Sequence, residues 1–182
     1  VGMATGIDLA TVIRGIQAVT GVPGRFQLVP GSREFGVIID YAHTPDGLEN
    51  VLKAAKALHP KRLGVVFGCG GDRDRTKRPI MGRIAEEYAD FIWLTSDNPR
   101  SEPPEAILDE IEAGLSSGAP FVRISDRREA IRQAVAWAQS GDLLVIAGKG
   151  HENYQILADR TSPFDDMKVA AEALEDRRHG RL

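Results

Sequence analysis

Five short runs rich in β-branched and aromatic residues recur along this chain with helical patterns between them, and that alternation restricts the possible folds more than any other feature. The runs are GVIID at 36–40, LGVVF at 63–67, FIWLT at 91–95, FVRI at 121–124 and LLVIA at 143–147. Their near-continuous apolarity suits strands buried on both faces, and strands that alternate with helices build a parallel sheet from βαβ units. Leu48, Val51, Leu52, Ala55 and Leu58 recur at three- and four-residue spacing, as do Ile107, Leu108, Ile111 and Leu115, so each helix lays one apolar stripe on the sheet. Asp126 with Glu129 reads as a capping box opening a helix that runs to Ala138, and Pro45, Pro79 and Pro104 stand where first helical turns tolerate proline. A last helix is predicted over 165–175, followed by a frayed polar tail over 176–182. Trp93 and Trp137 are assigned to core packing. The predicted fold is α/β: a Rossmann-like, doubly wound, mostly parallel sheet of about six strands with helices on both faces.

Residues 8–19 precede the alternation and read as one amphipathic helix, after which Gly21, Pro23 and Gly24 punctuate the chain like a hinge. Residues 1–22 are therefore expected to be an appendage and 23–182 a domain. A chain of 182 residues has room for one hydrophobic core and little more. Its 42% hydrophobic and 27% charged residues match an ordinary globular protein, not a disordered one. No apolar run approaches the roughly 20 residues of a membrane helix, and the first ten residues lack the pattern of a secretory signal, so a cytoplasmic location is expected. A net charge of -3 supplies no overall field to hold nucleic acid, although Arg73, Arg75, Lys77 and Arg78 cluster where a small anion could be gripped. With Cys69 alone, an internal disulfide and a multi-cysteine zinc site are excluded, leaving packing or mild thiol chemistry. The expected partner is a small molecule, with neither nucleic acid nor membrane.

Ligands of open α/β sheets bind beyond the carboxyl ends of the strands. There this chain places DYAHTPD at 40–46, GCGGDRDR at 68–75, DNPR at 97–100 and GKGHE at 148–152, four loops expected to line one rim. Glycines at 68–71 would let backbone N–H groups approach a ligand, and a helix starting near Pro79 would turn its positive end toward an anion. The loop lacks GxxxxGK[ST] and so is not a P-loop; a glycine-rich turn of this kind is as readily structural. The alternating Asp72, Arg73, Asp74 and Arg75 suit a zwitterion. Arg100 follows a stiffening proline and either aims its planar fork at a carboxylate or is a solvated surface arginine. Asp97 and Glu152 can accept from an ammonium, and Asp97 can equally cap a helix. His43 and His151 are each open to the roles of base, metal ligand or packed polar residue. No metal-ligand spacing joins His43, His59, His151 and His179 and no nucleophile elbow is present, which argues against a self-contained hydrolase.

Taken together and in order, Pro23-Gly24-Arg25, DYAHTPD, GCGGDRD, KRP at 77–79, DNPR and GKGHE resemble the C-terminal domain of the Mur ligases over residues 22–174. The resemblance implies an ATP-dependent amide-bond ligase of three domains, in which a substrate carboxylate is phosphorylated to an acyl phosphate and an incoming amine displaces the phosphate. The C-terminal domain receives the amine. The resemblance further implies that Arg25 reaches the phosphates of ATP and Asp40 its ribose, with His43 nearby and Tyr41 walling the site. It places the amino-acid pocket at Arg73, Asp97, Asn98, Pro99, Arg100, Gly148 and Glu152. Within the family, DNPR accompanies meso-diaminopimelate, whereas lysine-adding members lack the arginine. Arg100 and Arg73 would then meet the distal carboxylate, and Glu152 with the Gly148 carbonyl would take the distal ammonium. The remaining implied partners are UDP-MurNAc-L-Ala-D-Glu, Mg²⁺, an N-terminal nucleotide-sugar domain and a central P-loop domain that binds most of the metal. Residues 1–22 resemble only the last helix of that central domain, so no catalytic residue and no metal ligand is expected in this chain, and alone it is expected to be inactive. The competing readings are other ligases that share the terminal fold, a plastid or cyanobacterial homologue with a non-ligase role, and a free-standing module that binds an amino acid or nucleotide.

Overall fold

The alternation becomes a six-stranded sheet with helices on both faces in a computed structural model that describes residues 2–18, 21–32 and 34–182. A single 3₁₀ turn, Gly2–Thr5, precedes α1, Leu9–Gln17, where the Asp8 carboxylate accepts the Thr11 N–H as an N-cap should. The predicted end of this helix, Val19, lies outside the described residues. No residue of α1 is buried, and Leu9, Ile13 and Ile16 present its apolar stripe to solvent.

The two-residue β1, Gln27–Leu28, pairs antiparallel with β2, Gly36–Asp40, at the sheet edge. Thr44 caps α2, Pro45–Lys56, by accepting the Gly47 N–H, with proline at the first helical position. Next come β3, Leu63–Phe67, α3, Lys77–Tyr88, and β4, Phe91–Leu94. The chain continues through α4, Pro104–Glu112, β5, Phe121–Arg123, α5, Arg127–Trp137, and β6, Leu143–Ala147. A small antiparallel hairpin of β7, Tyr154–Ile156, and β8, Thr161–Pro163, leads into α6, Asp166–Arg178.

The strand order is β1-β2-β6-β3-β4-β5, with all pairs after the first parallel. Chain direction across the sheet reverses when β6 inserts between β2 and β3, which makes the carboxyl end of β6 the place where crossovers part and a crevice opens. Successive side chains divide between two cores. Ile38, Val65, Phe67 and Val145 face α2, α3 and α4, while Val37, Ile39, Val66, Trp93 and Ile146 face α5 and α6. Cys69 packs in the first core 3.7 Å from Met81 Sδ, and burial pushes its thiol up to about 12, so its role is packing.

Several elements differ from the sequence expectation at their ends. β4 and β5 each end one residue early, although Thr95 and Ile124 still donate backbone hydrogen bonds to Phe67 and Leu94. Leu58 falls beyond α2 and is exposed, because the chain turns through a left-handed His59. The Asp126 half of the capping box forms, but Glu129 accepts from Gln133 instead of reaching back. The tail expected to fray stays helical to Arg178, held by Asp176 to Arg132 and by Arg177, which donates to the Val135 carbonyl and covers the Phe35 ring. Among the described residues, no helix is long and apolar enough to cross a membrane.

Candidate functional site

Each of the four strand-end loops is fixed by its own backbone chemistry. Asp40 closes β2 with Oδ1 accepting the Ala42 N–H at 2.8 Å and Oδ2 accepting the Phe26 N–H at 2.7 Å, which ties the 22–27 segment to the sheet. Gly24 and Gly150 pack so tightly that a methyl group on Gly24 would stand 2.2 Å from the His151 nitrogen. The Arg25 guanidinium stacks on the Tyr41 ring at 4.6 Å from its centroid and spends no N–H on the described residues. His43 and His151 flank the same ring at 4.6 and 5.3 Å between centroids. His43 Nδ1 lies 2.9 Å from the Tyr41 carbonyl, an acceptor only, so Nδ1 donates there and Nε2 stays open.

The loop after β3 differs from its expected role. A methyl group on Gly68 would stand 1.9 Å from the Thr95 carbonyl oxygen and one on Gly71 1.8 Å from that of Pro99, so these glycines let the loops after β3 and β4 press together. Gly71 N–H donates to Asn98 at 2.9 Å across that seam. Of the four alternating charges, three are used internally. Asp72 accepts from Ser101, whose hydrogen bonds hold its carboxyl below the usual range; Asp74 accepts from Thr76; and Arg75 pairs with Glu110. Arg73 alone keeps most of its guanidinium open, donating only Nη1 to the Asp72 carbonyl. Nor does Arg78 grip a small anion: it is fully buried, donating to Glu102, Glu110 and the Gly70 carbonyl. Its hydrogen bonds hold the Glu102 carboxyl down to about 2, and Glu102 in turn accepts the Asp72 N–H.

The DNPR loop is clamped from the far side by β7, which sequence reasoning did not foresee. Arg100 N–H donates to the Ile156 carbonyl, Ile156 N–H to Asn98 Oδ1, and Gln155 Nε2 to the Asp97 carbonyl. Asn98 is buried and spends its amide on structure: Oδ1 also accepts from Lys149 Nζ at 2.9 Å, and Nδ2 donates to Glu152 Oε2 at 3.0 Å. Arg100 adopts a left-handed φ of 53° and donates Nη1 to the Gly71 and Asn98 carbonyls, which leaves the Nε and Nη2 edge open for a carboxylate. Asp97 caps no helix. It is buried with Oδ1 lacking any hydrogen bond, and Lys149 Nζ stands 3.4 Å away.

These loops enclose a cleft of about 610 Å³ at the carboxyl ends of the strands. Arg73, Asp97, Asn98, Arg100, Gly148 and Glu152 all line it, as do Tyr41 and His43. Pro99, Arg25 and Asp40 do not; Arg25 reaches it only through its stack on Tyr41. Three cations, Arg73, Lys77 and Arg100, and three carboxylates, Asp74, Asp97 and Glu152, thus line one concave surface, an arrangement suited to a molecule carrying both signs of charge. Among the described residues, no cluster of three or more His, Cys, Asp or Glu side chains can hold a metal.

Beneath the cleft, the fully buried Arg127 and Asp166 form a bidentate pair at 2.8 and 2.7 Å, and Arg127 also donates to the Ala147 carbonyl at the end of β6. Sequence reading missed this pair and Lys149. A signal for the first existed: a cation at the start of a helix opposes the helix dipole, so Arg127 needs another reason to be there.

The chain as a whole is similar to known proteins. A family model described as "Mur ligase, glutamate ligase domain" matches residues 24–150. The chain belongs to the Mur ligase family. This Mur ligase chain is 57% identical over 171 residues to the UDP-N-acetylmuramoyl-L-alanyl-D-glutamate–2,6-diaminopimelate ligase of Syntrophomonas wolfei, covering 93% of the chain and 35% of that relative. It is 56% identical over 178 residues to the ligase of the same name from Gloeobacter violaceus, covering 97% and 36%. The chain therefore spans about a third of the length of these relatives. A solved structure of a UDP-N-acetylmuramoyl-L-alanyl-D-glutamate–2,6-diaminopimelate ligase superposes with a TM-score of 0.82 at 45% identity, over 97% of this chain and 36% of the other. An Escherichia coli FolC structure, at TM-score 0.63 and 23% identity over 96% of this chain and 36% of its own, shares the fold.

Proposed function

We propose that this chain is the C-terminal, amino-acid-receiving domain of a ligase that adds meso-diaminopimelate to UDP-MurNAc-L-Ala-D-Glu. The observation that carries this reading is the cleft, where the open edge of Arg100 stands with Arg73, Asp97 and Glu152 around one space. Arg100 and Arg73 would take the distal carboxylate, and Glu152 with the Gly148 carbonyl the distal ammonium. Asn98 acts through its neighbours, because its amide already holds Glu152 and Lys149. Pro99 is the stiffening neighbour of Arg100. The names of the relatives, which include 2,6-diaminopimelate, support the same amino acid.

Arg25, Tyr41 and His43 suit the edge of a nucleotide site: an unspent guanidinium for phosphate, a ring held by that stack, and an open Nε2. The Asp40 oxygens each accept one backbone N–H and keep a lone pair for a ribose hydroxyl. ATP, with Mg²⁺ held mainly by further domains, would supply the phosphoryl group that activates the substrate carboxylate as an acyl phosphate. This chain's part is then to hold the attacking amine in line. The amine nitrogen bonds to the acyl carbon, the bond from that carbon to the phosphate oxygen breaks with its electron pair leaving on phosphate, and the proton lost by the amine ends on the departing phosphate. We take residues 1–22 as belonging with the central domain and 23–182 as the receiving domain, of an enzyme working in the cytoplasm.

Calorimetric titration of the chain with meso-diaminopimelate and, separately, L-lysine tests the assignment. Binding of the first and not the second is expected. Arg100→Ala should lower the affinity at least a hundredfold, about the effect of losing a paired charge from a desolvated site. An unchanged affinity in Arg100→Ala would sink the reading.

A further inference from the structure

The floor of the cleft holds a buried charge that takes no part in the contacts assigned to the amino acid. Lys149 lies between Gly148 and Gly150 with its side chain fully enclosed, and an ammonium there is costly unless its protons are met. They are met from separate segments of the chain. Nζ donates to Asn98 Oδ1 at 2.9 Å and to the Tyr154 carbonyl at 2.8 Å, and it faces Asp97 Oδ1 at 3.4 Å and Glu152 Oε2 at 3.7 Å. Asn98 passes the constraint on, because Oδ1 also accepts the Ile156 N–H and Nδ2 donates to Glu152. Asp97 Oδ1, which accepts no hydrogen bond, is offset by the Lys149 charge beside it.

We propose that Lys149 is a positioning and specificity-determining residue: a buried ammonium that joins the DNPR loop, the GKGHE loop and the β7–β8 hairpin, and that makes the amino-acid site net positive. The charge count follows from the lining. Arg73 and Arg100 balance Asp97 and Glu152, Lys77 balances Asp74 at the rim, and Lys149 beneath them is the surplus. Burial draws the Lys149 ammonium below the ordinary lysine range and Asp97 beside it opposes that shift, while the ring of oxygen acceptors is the surrounding an ammonium requires.

This inference rests on the proposed amino-acid site. Whatever the state of the attacking amine, diaminopimelate carries one negative charge more than L-lysine. A site with one surplus positive charge favours the former, and a neutral site loses that advantage. Lys149 touches no ligand itself; it acts through Asp97, Asn98 and Glu152.

The test compares the wild-type chain with Lys149→Met, which keeps length and removes charge, and Lys149→Arg, which keeps charge. Each is titrated with meso-diaminopimelate and L-lysine, and amide hydrogen exchange is followed at 97–100 and 152–156. Lys149→Met should reduce the preference for diaminopimelate over lysine about tenfold, on the scale of one nearby unit charge in a partly screened site. Lys149→Arg should retain the preference even where both affinities fall. Exchange at the two segments should quicken in Lys149→Met, with the strands unaffected. An unchanged preference in Lys149→Met, or an equal loss in Lys149→Arg, would overturn the specificity role. If the wild-type chain binds neither amino acid, the reading of the site fails and takes the specificity role with it; unchanged exchange in Lys149→Met would then overturn the joining role as well.

Discussion

Gly70 and Gly71 are neighbours in the chain, yet a methyl group would act on them in opposite ways. At Gly71 it would stand 1.8 Å from the Pro99 carbonyl oxygen, a backbone atom held in the seam between two loops. At Gly70 it would meet Arg100 Nη1 at 2.9 Å and Arg73 Cγ at 3.6 Å, both on side chains that can swing away. Gly71→Ala should therefore cost about 1–3 kcal/mol of stability, the usual range for overpacking, read from urea unfolding. Gly70→Ala should leave the unfolding midpoint nearly unchanged and still weaken meso-diaminopimelate binding about tenfold, because it displaces the Arg100 guanidinium while Arg73 stays at ordinary contact distance. Full affinity in Gly70→Ala would show that Arg100 does not bind the ligand from this position. The glycine run itself was legible in the sequence, but not this division of labour. Which atom faces each α-carbon is decided by the DNPR loop, nearly thirty residues further on. The same distance hides the duty of Asn98, whose amide is committed to residues more than fifty positions away.

At the scale of elements, near-continuous apolarity revealed β2, β3, β4 and β6 because their residues are mostly buried on both faces, while β5, only partly buried at the sheet edge, was legible from its short β-branched run. It could not reveal β7 and β8, three residues each, partly exposed and without alternation, which are held by the loop they clamp. It also stopped α6 short, since Asp176 and Arg177 look like a polar tail until Arg132 and Phe35 are seen beside them. The two helices α5 and α6 meet at their first residues through Arg127 and Asp166, and the energetics of that pair can be isolated. A buried pair adds little net stability, but removing one partner leaves a charge uncompensated and costs about 3–5 kcal/mol. Arg127→Met and Asp166→Leu should each fall in that range by urea unfolding. The double variant should recover most of the loss, which would separate a charge-pairing role from simple packing. If the double variant is no more stable than the worse single one, Arg127 matters for the β6 carbonyl it holds and not for Asp166.

For the whole molecule, the two halves of the proposed chemistry are unequally built. The amino-acid cleft draws on loops after β2, β3, β4 and β6 and is closed underneath by Lys149 and the Arg127–Asp166 pair. The residues assigned to the nucleotide form a short patch around the Tyr41 ring, with one guanidinium to meet phosphate and, among the described residues, no cluster able to hold a metal. The apolar stripe of α1 is likewise exposed, so Ile13→Ser or Ile16→Ser should leave the stability of this chain within about 0.5 kcal/mol, as at other exposed sites. Phosphoryl transfer depends on positioning and a bound Mg²⁺, and toward these the proposed nucleotide patch offers one guanidinium and, among the described residues, no metal-holding cluster. The chain should therefore bind meso-diaminopimelate with an affinity that added Mg-ATP does not change, and release no ADP in the presence of UDP-MurNAc-L-Ala-D-Glu. In a polypeptide that also carries the P-loop domain, the same titration should become sensitive to ATP, because closing the two halves over the amine excludes water and completes the site. ADP release by this chain alone would mean that phosphoryl-transfer machinery lies within these 182 residues, and the division of labour argued from the cleft would be wrong.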